Sequence, residues 1–158
     1  GQDSKVIRLD EIGAVVNFVM NDKCAAGTGR FLEMMARTME MSLDEMSHKG
    51  LKYKEDITIS SMCTVFAESE VVSLIAQNKD TDDIVHGLNK AVASKTAALA
   101  KRVGGEERYM MTGGVSKNES LVKTLEEKLG TTLVVDERAQ LCGALGAALF
   151  AMDMVEKD

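Results

Sequence analysis

Residues 108–158 pass from a short apolar run into two adjacent glycines, Gly113-Gly114, and then into a helix-forming run. The same region repeats a strand and a helix. The pattern predicts a strand over Arg108–Thr112, a helix over about Lys117–Leu129 stopped by Gly130, a strand over Thr131–Val135, and a helix over Ala139–Val155. A β-α-β-α order calls for helices packed on a sheet, so it confines the chain to the α/β class. Upstream, Ser4–Leu9 and Ala14–Met20 carry β-branched residues in near alternation around Asp10-Glu11-Ile12-Gly13, which predicts a hairpin. The expectation is an α/β domain with a small mixed sheet.

Helices fill the middle. Phe31, Leu32, Met35 and Met39 fall at helical spacing. Ser42 with Glu45 forms a capping-box pattern before a short helix ended by Gly50. Leu51–Ile59 reads as a short edge strand or an extended connection. Thr64–Gln77 reads as a helix with Thr64 as N-cap and Val65, Val72, Ile75 and Ala76 along one side. Thr81 is placed as the cap of a longer helix running to about Val103, with Ile84, Leu88, Ala91, Val92, Leu99 and Val103 as its stripe.

Bulk properties exclude several classes. A net charge of −6 and the lack of a basic stripe argue against nucleic-acid binding. No apolar run reaches the length of a membrane span. Three cysteines in 158 residues do not make a disulfide framework, which favours a reducing, cytoplasmic setting. No linker of low complexity divides the chain, so residues 1–158 read as a single α/β domain. The first residue is Gly1, and the chain reads as part of something longer.

Four groups of residues could carry chemistry. Cys24 lies in the small-residue loop Asn21–Gly29, just ahead of the Phe31 helix, and Cys63 lies in Ser60–Thr64 at the mouth of the Thr64–Gln77 helix. A helix N-terminus favours negative charge and lowers the pKa of a thiol placed there, so an anionic metal–thiolate centre suits both positions. Neither cysteine has a C-x-x-C partner, which argues against a zinc ribbon. Two thiolates per chain do not complete a four-cysteine cluster site, whereas two chains about a twofold axis would. Spacing alone leaves burial as ordinary packing residues open. Cys142, in the Ala/Gly-rich last helix, reads as a packing residue. Gly113, Gly114 and Val115 end a strand where ligands of α/β sheets bind, though an ordinary turn has the same look. Gly1-Gln2-Asp3 is a hairpin tip that could cradle a phosphate, with Asp3 near a metal ion, or a frayed terminus. His48, His86, Glu68 and Glu70 read as structural, solvated or capping groups.

Gly-Gln-Asp-Ser-Lys-Val-Ile at the start, Asn-Asp-Lys-Cys-Ala-Ala-Gly-Thr-Gly-Arg-Phe-Leu-Glu, Ile-Ser-Ser-Met-Cys-Thr-Val-Phe-Ala-Glu-Ser-Glu-Val, Met-Thr-Gly-Gly-Val and Gly-Ala-Leu-Gly-Ala-Ala-Leu together resemble the activators (component A) of 2-hydroxyacyl-CoA dehydratases. That group includes the ATPase subunits of benzoyl-CoA reductase. The resemblance covers essentially the whole chain. It implies the actin-like, sugar-kinase and Hsp70-like ATPase fold, of which this chain resembles the C-terminal half. It implies a homodimer sharing one [4Fe–4S] cluster, with Cys24 and Cys63 as each chain's ligands. It implies ATP/ADP with Mg²⁺, with Gly113, Gly114 and Val115 in the adenosine loop. Gly1, Gln2 and Asp3 then match the end of the second phosphate loop, with Asp3 in the catalytic role. Family members use ATP hydrolysis to pass a low-potential electron, taken from ferredoxin or flavodoxin, to a dehydratase that forms a ketyl radical. The family's first phosphate loop has no counterpart in this sequence, so weak or no ATPase activity is expected of this chain alone. The alternative is a non-redox kinase or ATPase domain of the same fold with structural cysteines.

Overall fold

The computed structural model describes residues 1–21, 27–61 and 63–156. The chain opens with the expected hairpin: β1 (Lys5–Leu9) pairs antiparallel with β2 (Val15–Met20). Asp10 closes the turn by accepting the Ile12 and Ala14 N–H groups on its carboxylate, while Gly13 takes φ 83°. That left-handed conformation is the reason for a glycine there.

Four helices follow: α1 (Gly29–Thr38), α2 (Leu43–Lys49), α3 (Thr64–Ala76) and α4 (Thr81–Arg102). The chain ends with β3 (Tyr109–Met110), a 3₁₀ turn over Gly114–Lys117, α5 (Glu119–Leu129), β4 (Leu133–Val134), a second 3₁₀ turn over Ala139–Leu141 and α6 (Cys142–Val155). The small mixed sheet expected from the sequence is present as two separate ladders among the described residues. One is the antiparallel hairpin, and the other is the parallel pair β3–β4.

The spine is α4. It packs against α2, α3, α5 and both strands of the hairpin. Ile84, Val85, Leu88, Val92, Ala93 and Ala97 are buried along it and meet Phe31, Leu32 and Met35 of α1, Met46 of α2, Ala67 and Val71 of α3, and Leu121 and Leu125 of α5. The capping box at Ser42–Glu45 is formed as expected, with the Glu45 N–H donating to Ser42 Oγ at 3.1 Å and the Ser42 N–H to Glu45 Oε2 at 2.8 Å. Gly130 ends α5 at φ 71°.

Two local expectations are corrected, and one left open between two alternatives is decided. The N-caps of α3 and α4 are Cys63 and Asp80, one residue ahead of Thr64 and Thr81. Asp80 wins because its carboxylate accepts the Asp82 N–H at 2.9 Å. Leu51–Ile59 is a connection and not an edge strand: it leaves a turn at Leu51 and forms no ladder among the described residues, and Ile57 and Ile59 are buried against α4, where the missing side chain of Gly87 lets the backbone of Ile57 approach. The face of α3 is also reassigned. Ala67 and Val71 are buried, whereas Val65, Val72 and Ile75 face outward. Their hydrophobicity pointed to a core stripe, but the core side of α3 is set by the small residues that fit beneath α1 and α4.

Candidate functional site

The two stretches assigned to the nucleotide, Gly1–Asp3 and Gly113–Val115, meet the end of the Cys24 loop at Gly29. The Gly1 carbonyl accepts the Arg30 N–H at 2.9 Å, which ties the start of the chain to the first turn of α1. A Cβ on Gly29 would lie 2.7 Å from the Gly1 nitrogen and 2.9 Å from Val115 Cγ2. The backbone of Gly1 and the side chain of Val115 therefore meet Gly29 where only hydrogen fits. The junction is stitched further by Ser4. Its N–H donates to Asn21 Oδ1 at 2.7 Å, its carbonyl accepts the Asn21 N–H at 2.9 Å, and its hydroxyl donates to the Gly27 carbonyl at 3.2 Å.

Gly113 has φ 91°, and nothing lies within 4 Å of where a side chain would start, so backbone conformation rather than crowding demands glycine. Its N–H donates to the Ala139 carbonyl at 2.8 Å, and its carbonyl accepts both the Ser116 hydroxyl at 2.7 Å and the Ser116 N–H at 3.2 Å. These bonds fix the loop between β3 and the head of α6. Asn118 then caps α5 through the Leu121 N–H at 2.9 Å and accepts the Ser120 hydroxyl at 3.0 Å; Ser120 in turn accepts from Asn89 of α4 at 2.6 Å. The glycine loop is thus anchored to the spine.

Beside this loop lies an open groove of about 520 Å³ lined by Ser116, Lys117, Lys123, Asp136 and Gln140 among others. The Asp136 carboxyl is held down to about 2 by side-chain hydrogen bonds from Arg138, at 2.9 and 3.1 Å, and then by the Arg138 N–H at 2.8 Å. The groove residues were not identified from sequence. The signal that could have found them is the turn between β4 and α6, the second place where a strand runs into a helix. Asp3 is exposed and pairs with Lys5 at 3.5 Å.

The cysteines separate. Cys24 lies outside the described residues. Cys63 is exposed and is the N-cap residue of α3, whose first turn holds no acidic side chain. The Thr64 hydroxyl next to it is buried and has no hydrogen-bond partner among the described residues. An exposed thiol, an uncapped helix start and an orphaned hydroxyl fit an anionic sulfur-ligated group. Among the described residues no three His, Cys, Asp or Glu side chains are grouped to hold a metal ion within one chain. Cys142 opens α6 and is half-buried; its thiol donates to the Arg138 carbonyl at 3.7 Å. Two carboxylates flank the Cys63 helix: Glu68 accepts the Thr38 hydroxyl of α1 at 2.9 Å, and Glu70 holds the backbone of Ser60 and Ser61. His86 is buried and stacked on Tyr53, with ring centroids 3.5 Å apart.

Residues 1–151 match the profile of the BadF/BadG/BcrA/BcrD ATPase family. The chain belongs to this family. It is 46% identical over 153 residues to the 2-hydroxyisocaproyl-CoA dehydratase activator of Clostridioides difficile, covering 97% of this chain and 58% of that protein. It is 48% identical over 157 residues to the activator of lactoyl-CoA dehydratase of Anaerotignum propionicum, covering 99% of this chain and 61% of the relative. A benzoyl-CoA reductase chain of Thauera aromatica is 32% identical, matched over 97% of this chain and 56% of its own length. This chain therefore spans about three fifths of the length of the curated relatives it matches.

Family membership extends to the fold. The solved activator of 2-hydroxyisocaproyl-CoA dehydratase from Clostridium difficile with bound ADPNP superposes with a TM-score of 0.94 at 44% identity, over 99% of this chain and 59% of that one. Component A of the Acidaminococcus fermentans (R)-2-hydroxyglutaryl-CoA dehydratase gives 0.90 at 47% identity, over 95% of this chain and 57% of its own. The chain thus has the fold of the activator ATPases in this family.

Proposed function

We propose that this chain is the C-terminal, cluster-bearing portion of an ATP-dependent activator that passes a low-potential electron to a 2-hydroxyacyl-CoA dehydratase. The observation that carries the reading is Cys63, an exposed thiol standing as the N-cap of α3 beside an unpaired buried hydroxyl, in a chain 46–48% identical to such activators. Cys63 would supply one sulfur ligand per chain and Cys24 the other. A [4Fe–4S] cluster completed by a second copy of the chain would supply one-electron chemistry when bound. The start of α3 offers the partial positive charge that stabilises an anionic centre.

The nucleotide would lie across the junction at Gly29. Gly113, Gly114 and Val115 would pass close to the adenosine, and the groove lined by Lys117, Lys123, Asp136 and Gln140 extends that surface. Gly1, Gln2 and Asp3 would face the phosphates, with Asp3 beside Mg²⁺. Ferredoxin or flavodoxin would donate the electron, and the setting would be cytoplasmic; no helix among the described residues is long and apolar enough to cross a membrane.

Anaerobic reconstitution with iron and sulfide, followed by size-exclusion chromatography, tests the reading. About four irons per two chains are expected, eluting as a dimer. Cys63→Ala should abolish iron uptake and weaken the dimer, while Cys142→Ala should leave both unchanged. Iron uptake that survives Cys63→Ala would sink the assignment and leave a non-redox ATPase with structural cysteines.

A further inference from the structure

Cys63 is held at the start of α3 by a chain segment with no sheet to support it. Ile59 anchors that segment in the core. From there the backbone reaches the helix through Ser60 and Ser61; a single side chain takes both their N–H groups, while the Ser61 hydroxyl donates to the Cys63 carbonyl at 3.3 Å. The Glu70 carboxylate accepts the Ser60 N–H at 3.0 and 3.1 Å, the Ser60 hydroxyl at 3.1 Å and the Ser61 N–H at 3.1 Å. Glu70 lies seven residues beyond Cys63, two turns along the same face of α3. The helix thus reaches back past its own start and grips the residues that deliver Cys63. Hydrogen bonds to an ionised carboxylate are stronger than neutral ones, and two N–H groups on one carboxylate restrict direction as well as distance.

We infer that Glu70 is a positioning residue for the Cys63 thiol. It holds Ser60 and Ser61 so that Cys63 occupies the N-cap position with its sulfur directed outward for ligation. The inference rests on the reading of Cys63 as a cluster ligand, and it deepens that reading by naming what orients the ligand. Outer groups that orient a metal ligand commonly change metal affinity by about tenfold or more when removed. Glu68, two residues earlier, serves a different end: it bonds Thr38 and so ties α3 to α1.

The test compares wild type with Glu70→Ala, Glu70→Asp and Glu70→Gln in the same chain. Three quantities are read: iron bound after anaerobic reconstitution, the alkylation rate of Cys63 relative to Cys142 in iron-free protein, and the melting temperature. Ala removes the acceptors and Asp falls short of them; each should lower iron content about tenfold and change the Cys63-to-Cys142 alkylation ratio. Melting temperature should stay near that of wild type. Gln keeps one oxygen at the same reach and should restore most of both signals. Wild-type iron content and an unchanged alkylation ratio in both Ala and Asp would overturn the inference, as would parallel acceleration at Cys63 and Cys142, which marks general unfolding. Should wild type itself take up no iron, the cluster reading fails, while the alkylation ratio still decides whether Glu70 positions the thiol.

Discussion

Gly29 shows how much one residue can decide. It opens α1 between Thr28 and Arg30, at the end of a stretch whose sequence says only that it is small and turns into a helix. Its importance comes from Gly1 and Val115, two residues distant in the chain that leave no space for a methyl group. Gly29→Ala should destabilise the fold by about 1–3 kcal/mol through forced separation of those segments, read as a lowered urea midpoint. A midpoint equal to wild type would show that the junction yields without cost. His86 makes a second residue-scale case. Burial, ahead of the opposing pull of Asp56, lowers its pKa below 6.5. A base whose folded pKa is depressed adds stability in full above its unfolded value, and loses it as pH falls below 6.5 toward the folded value. Stability should therefore decline on acidification through this window, and His86→Phe, which keeps the stack on Tyr53, should flatten the decline. Equilibrium unfolding of both proteins at about pH 5.5 and 7.5 checks this.

At the scale of elements, α4 decides how the rest is laid down. Its N-terminal half accepts the extended chain around Ile57 only because Gly87 leaves a gap: a Cβ there would stand 2.9 Å from the Ile57 carbonyl oxygen. Helix propensity by itself says that Gly87→Ala should stabilise α4 by up to about 1 kcal/mol. The packing says the reverse, a loss of about 1–3 kcal/mol. Thermal unfolding of the variant separates the two, and a raised melting temperature would refute the packing argument. The carboxylate of Asp83 reinforces this crossing by accepting the Lys54 and Glu55 N–H groups at 2.6 and 2.9 Å. The hairpin, the Ser42 capping box and the Gly130 stop were all legible beforehand, since each is written in residues a few positions apart. The outward face of α3 was not legible. Val65 and Phe66 are strongly apolar, yet they are 64% and 68% exposed because α1 and α4 admit only the narrower side bearing Ala67 and Val71.

Across the whole molecule, apolar surface is unevenly disposed. No residue of α6 is buried, and Leu145, Leu149 and Phe150 all face outward. At Gly143 and Gly146, small residues that would allow close packing, a side chain would start in open space. Ile7, Leu9 and Phe18 of the hairpin are exposed in the same way. Apolar faces of this kind favour association. The isolated chain should self-associate as its concentration rises, and Leu145→Lys with Leu149→Lys should suppress this in sedimentation velocity. Since neither leucine is buried, the unfolding midpoint should move by no more than about 0.5 kcal/mol equivalent. Association that persists unchanged in the double variant would direct attention to the hairpin instead.

What the sequence determined by itself was local and periodic: strand and helix order, the turns at Gly13 and Gly130, the glycine loop at Gly113, and the cysteine motif around Cys63. These follow from backbone conformation and side-chain spacing, which act over a few residues. The motifs were also long enough to identify the family. Tertiary structure alone decided that Gly1, Gly29 and Val115 share one junction, that a groove opens beside Ser116, that Gly87 admits the chain at Ile57, and that Glu70 reaches back to the residues before Cys63. The reason is physical. Close approach, burial and hydrogen bonding between residues far apart in the chain depend on how helices and strands pack around α4, and no local pattern encodes that packing.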